Sequence, residues 1–112
     1  MKRGTIIFIP FPFGDQQEWK NRPALVVSAK LYSGNIIAAF ITSQISKQTP
    51  NDIMLNNEEN WFPLTGLKVS SLVKCEKLLT VEKSVILGEF GMVPREILLL
   101  LDEKLKNILG LK

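Results

Sequence analysis

The chain has 112 residues, 46% of them hydrophobic, and carries 14 Lys+Arg against 11 Asp+Glu for a net charge of +3. That length suits a single domain over residues 1–112, and that apolar share excludes a disordered chain. The mild basic excess permits a nucleic-acid partner without requiring one.

Residues 5–9 (Thr-Ile-Ile-Phe-Ile) are β-branched and aromatic and predict a first strand, which Pro10-Phe11-Pro12 would end. A polar stretch, residues 14–22, then reads as an irregular loop, and Arg22-Pro23 as the entry to a second strand over residues 24–28. Pro23 fixes its own φ and biases Arg22 toward extended geometry, so the guanidinium is held at the mouth of a sheet. Gly34-Asn35 marks a turn before a third strand, residues 36–42. Residues 44–51 read as a loop, Asp52–Leu55 as a short fourth strand, and residues 56–63 as polar with Trp61 and Phe62 embedded. Residues 69–74, 77–82 and 85–88 are further strand candidates. The first three strands are apolar almost throughout, which suits strands covered on both faces or a small closed barrel. From Pro94 to about Leu109 the period changes to helical: Ile97, Leu101, Leu105 and Ile108 form a stripe that Leu98 and Leu109 widen. Pro94 suits the first helical position, Glu96 the first turn and Gly110 the stop. Leu99 and Leu100 fall off the stripe, which fits either a fully covered helix or an oligomer contact.

Absent residue types narrow the chemistry. With no histidine the chain lacks the commonest neutral-pH acid–base group and the commonest metal ligand. One cysteine and no histidine nearly exclude a zinc site of usual type, so no metal or cofactor is expected. The single Cys75 cannot form an internal disulfide, which points to a reducing, cytoplasmic compartment; in its strand-like run it reads as a small buried hydrophobe. No apolar run approaches the length of a membrane span, and neither a membrane partner nor a signal peptide is expected.

Two clusters of polar residues carry the functional interest. Gln17, Glu18, Trp19, Lys20 and Arg22 combine carboxylate, amide, cations and an aromatic between two apolar strands. That mixture suits single-stranded RNA, whose bases stack on aromatics and whose phosphates meet cations; it also suits an ordinary solvated hairpin loop. Thr42, Ser43 and Gln44 follow the apolar run of the third strand, with Lys47 beyond them. If the sheet brings this end beside the start of the second strand, Thr42 faces Arg22. The plainer reading is that Thr42 and Ser43 satisfy backbone groups at a strand exit.

In order along the chain, the sequence resembles the MazF/PemK-like toxins of bacterial type II toxin–antitoxin systems. The carriers are Gly4, Pro10-Phe11-Pro12, Lys20-Asn21-Arg22-Pro23-Ala24-Leu25-Val26-Val27-Ser28, Ile41-Thr42-Ser43, Gly66-Leu67, and Ser71-Leu72-Val73-Lys74-Cys75-Glu76-Lys77-Leu78, with the C-terminal helix. The resemblance implies a mainly β protein, a small SH3-like, partly closed barrel with a C-terminal α-helix, and a homodimer. It implies an endoribonuclease, an mRNA interferase cutting single-stranded RNA sequence-specifically, and a cognate MazE-like antitoxin covering the RNA groove. The family's usual catalytic pair maps to Arg22 and Thr42. Two positions depart: Thr5 stands where members commonly have Asp, and Gln17 where many have Glu, with Glu18 alongside.

The chemistry these residues suit is metal-independent attack of a ribose 2′-OH on the adjacent phosphorus. Arg22 would stabilise charge on the phosphorus centre, Thr42 would donate a hydrogen bond, and Glu18 is the nearest carboxylate for the base. Gln17, Trp19, Lys20, Ser43, Gln44 and Lys47 are the expected RNA-binding residues. The rivals are a non-catalytic nucleic-acid- or protein-binding barrel, a gyrase-directed toxin of the same architecture, and a structural β domain acting through its Leu-rich helix.

Overall fold

The computed structural model describes residues 1–13 and 16–112, with side chains described outside residues 11–20. Among the described residues six strands form one antiparallel sheet: β1 (Thr5–Phe13), β2 (Gln16–Val26), β3 (Asn35–Thr42), β4 (Asp52–Leu55), β5 (Ser71–Glu82) and β6 (Gly88–Met92). Their order across the sheet is β4-β5-β3-β2-β1-β6, and an α-helix, α1 (Arg95–Leu109), follows β6.

Alternation along the strands sorts the core into two clusters. Ile6, Leu25, Ala39, Ile41, Val73 and Cys75 join the larger one, where α1 adds Ile97 and Leu101. Ile7, Ile9, Ala24, Val26, Ile36 and Ala38 form the smaller one on the other side of the same strands. This is why the first three strands read as continuous apolar runs. Each buried Ile, Leu or Val contributes roughly 1.5–3 kcal/mol, so both faces hold the sheet together. Trp61 and Phe62, embedded in a polar segment of sequence, are buried in the larger cluster. Beside them a 3-10 turn (Phe62–Thr65) packs so closely on β6 that a Cβ on Gly91 would stand 2.0 Å from the Thr65 carbonyl oxygen. Only glycine permits that approach.

Several sequence expectations need correction. The stretch expected as a loop is strand from Gln16 onward, and β1 continues past its prolines to Phe13. Backbone phase explains the tolerance. The Phe8 carbonyl accepts from Leu87 N–H at 2.8 Å, on the β6 side. Pro10 and Pro12 share the phase of Phe8, so their missing N–H groups point away from β2. Pro23 pairs with Phe8, and its missing donor points toward β3, just outside a β2–β3 ladder that runs only over Ala24–Val26. Residues 69–74 and 77–82 are not two strands but one, β5, broken in register against β3: Ala39 pairs Leu78 while Phe40 pairs Lys74. The strand expected over residues 85–88 is a 3-10 turn (Lys83–Val85) followed by β6. Pro94 caps α1 rather than opening it, its carbonyl accepting from the N–H groups of Ile97 and Leu98.

Candidate functional site

Arg22 lies within β2, paired with Ile9, and not at a loop junction. Its side is that of Ala24 and Val26; on β3 the same side carries Ile36, Ala38, Phe40 and Thr42. The β2–β3 ladder ends at the Ala24–Phe40 pair, so Arg22 and Thr42 each lie two residues beyond it on the same side of the sheet. The Arg22 Cζ stands 6.0 Å from the centroid of the Phe40 ring, a cation–π contact that orients the guanidinium over the end of β3. Arg22 is half-buried, as is Thr42.

At the strand exit the Thr42 hydroxyl oxygen accepts from Gln44 N–H at 3.2 Å. That is the backbone-satisfying turn expected of such a residue. It uses a lone pair and leaves the O–H proton to donate elsewhere. Thr42, Gln44 and Lys47 line a hollow of about 210 Å³ with Phe40, Lys74 and Lys77. Ser43, one residue on, falls on the other side. It borders a separate hollow of about 270 Å³ with Asn21, Arg22, Pro23, Lys68 and Ser71. Arg22 therefore touches both regions, lining one hollow and lying over the ring that walls the other. The side chains of Gln17, Glu18, Trp19 and Lys20 lie outside the described residues.

Sequence reasoning missed Phe40, Lys74 and Lys77 as site residues. Phe40 reads as one more apolar strand residue, and the two lysines as polar positions of two strands. Lys74 is nearly buried, its Nζ 2.8 Å from Asp52 Oδ2 and 3.7 Å from Glu76 Oε1. The hydrogen bond from Lys74 to Asp52 holds the ammonium above the ordinary lysine range, against the opposing pull of burial. Asp52 Oδ2 also accepts from Thr49 N–H at 2.8 Å, which fixes the loop carrying Lys47 to the start of β4. Cys75, beside Lys74, faces the core; burial pushes its thiol up to about 11, so it is no nucleophile at neutral pH. Among the described residues no group of three His, Cys, Asp or Glu side chains could hold a metal ion, and no helix is long and apolar enough to cross a membrane.

A curled antiparallel half-barrel with one C-terminal helix, and with basic and hydroxyl side chains gathered at a strand end, defines a PemK-type small β protein. The chain belongs to the PemK-like, MazF-like toxins of type II toxin–antitoxin systems, whose family model matches residues 2–109. Solved structures agree on the fold. The Mycobacterium tuberculosis toxin MazF-mt6 superposes with a TM-score of 0.76 at 18% identity, covering 96% of this chain and 98% of that one. A mycobacterial endoribonuclease in complex with its cognate antitoxin gives 0.75 at 18%, over 100% and 97%. The MazE–MazF structure from Deinococcus radiodurans gives 0.76 at 23%, over 100% and 97%. No curated protein matches the chain by sequence.

Proposed function

We propose that this toxin is an endoribonuclease, an mRNA interferase that cuts single-stranded RNA at a specific sequence without a metal ion and so arrests growth. The observation supporting the reading is that Arg22 stands over the ring of Phe40, two residues before Thr42 on β3, and that alternation gives Arg22 and Thr42 the same side of the sheet. A phosphodiester lying there meets a guanidinium and a hydroxyl together.

In the reaction the ribose 2′-oxygen attacks phosphorus and gives up its proton, while the bond to the 5′-oxygen breaks and that oxygen gains one. The products are a 2′,3′-cyclic phosphate and a 5′-OH. Arg22 binds the nonbridging oxygens, where one such preorganised donor is worth about 3–4 kcal/mol. It is not the base: neutralising a guanidinium near pH 7 costs on the order of 7 kcal/mol. Thr42 donates its free proton to a phosphate oxygen. Glu18 is the carboxylate assigned to take the 2′-proton, with positioning supplying much of the remaining rate.

Family membership supports a cognate antitoxin as partner, a homodimer as the working form and the cytoplasm as its place. Leu99 and Leu100, exposed on the single chain, supply apolar surface that a second copy would cover. The deciding experiment is sequencing of RNA 5′ ends from cells expressing the protein. New 5′-OH ends at one recurring sequence support the reading; intact RNA with broken DNA would favour a gyrase poison, and no toxicity a binding module. A 2′-deoxy nucleotide at the scissile position should block cleavage, and EDTA should leave the rate unchanged.

A further inference from the structure

The break in register on β5 has a consequence for charge. Between the Lys74 and Leu78 pairings β5 carries three residues with no counterpart on β3, since Ala39 and Phe40 are adjacent. An odd insertion reverses the alternation. Before it, Val73 and Cys75 face the larger cluster; after it, Leu78 does, while Leu79 and Val81 face the smaller one. In an unbroken strand Lys74 and Lys77 would point to opposite faces. Here both line the hollow beside Thr42, where Lys47 joins them from the 3-10 turn Ile45–Lys47.

The three lysines are not equivalent. Lys74 is held by buried Asp52, with Glu76 close by, and forms a fixed wall. Lys47 and Lys77 are exposed and, among the described residues, make no ion pair. Two such ammonium groups, with the Gln44 amide between strand end and turn, present donors and no ionised acceptor to the hollow. A tetrahedral oxyanion is the ligand chemistry this lining fits.

We propose that the hollow of Phe40, Thr42, Gln44, Lys47, Lys74 and Lys77 is a second phosphate subsite, holding the phosphodiester next to the one gripped by Arg22 and Thr42. It rests on the nuclease reading and adds to it a fixed path for the strand. The bulge in β5 is the device that creates it, by turning Lys77 to the same side as Lys74.

The test is binding of a fluorescent 2′-O-methyl oligoribonucleotide pool of mixed sequence, which cannot be cut, measured across a salt series. Lys77→Gln should weaken binding roughly tenfold at low salt. It should also shrink the slope of log affinity against log salt by about 0.7, the share of one phosphate on a single strand. Lys47→Gln should act in the same direction. Lys30→Gln, which removes an equal charge before β3 begins, should leave the slope in place. An unchanged slope in Lys77→Gln, or an equal loss in Lys30→Gln, overturns the subsite while leaving the nuclease reading intact, provided the wild type still cuts unmodified RNA. Failure of the wild type both to bind the pool and to cut RNA overturns both.

Discussion

At the end of β3 the two faces of the sheet part company. Ile41 is sealed with Leu25, Val73 and the buried residues of α1. Phe40 and Thr42, one residue to either side, border an open hollow lined by lysines. The same three-residue stretch thus packs the core on one face and borders the candidate site on the other. Because alternation separates the two roles by a single residue, substitutions on the two faces should have separable effects.

The sharpest break of that comparison is Arg22→Ala. Cleavage should fall roughly a hundredfold to a thousandfold, while the circular dichroism and melting curve stay near wild type because the side chain is only half-buried. Wild-type cleavage by a folded variant would remove Arg22 from the site. On the sealed face, Leu101→Ala should behave in the opposite way. Its side chain is fully buried, so denaturant melts should show a loss of roughly 2–5 kcal/mol, with activity per folded molecule retained.

A smaller effect comes from the junction of the faces, where Lys74 and Cys75 are neighbours. Unfolded, the Cys75 thiol titrates near 9.0; folded, near 11. Between those values the unfolded chain has lost a proton that the folded chain keeps, so rising pH favours unfolding. Stability should be almost unaffected by this group below about pH 9 and lower by roughly 2 kcal/mol at pH 11, where the folded thiol is itself half ionised. Lys74 adds to the same limb, since its raised folded-state pKa makes its contribution present below the ordinary lysine range and lost above it. Cys75→Ala should flatten that alkaline limb in urea melts taken across pH; a limb of unchanged steepness would show that the thiol is not held protonated by burial.

Smallest in stability is Leu99→Glu. Leu99 is 54% exposed, so the monomer should change by less than about 0.5 kcal/mol. Light scattering should nonetheless report a weakening of the proposed homodimer; an unaltered dimer would move the interface off this part of α1.

Much of the fold was legible because apolar period and punctuation are local signals. The stripe Ile97, Leu101, Leu105 and Ile108, closed by Gly110, marks α1, and Asp52–Leu55 is the fourth strand as read. The misreadings share a cause. Pro10, Pro12 and Pro23 look like strand breakers, yet each withholds a donor only where its strand has no partner on that side. Which side is unpartnered depends on distant strands. Trp61 and Phe62 were obscured in the same way, by polar neighbours that say nothing of a core assembled from elsewhere.

The sequence by itself determined the strand-rich class, the C-terminal helix, the expectation of a phosphate-directed arginine and, through its ordered motifs, the family. Hydrophobic period, helix stops and residue chemistry are written along the chain. Only the tertiary structure decided that Arg22 lies over the ring of Phe40, that Ser43 turns away from Thr42, and that Lys77 joins Lys74 in the hollow beside Thr42. Those relations depend on strand register and on one bulge, and register is set by the summed packing of both faces rather than by any local run of residues.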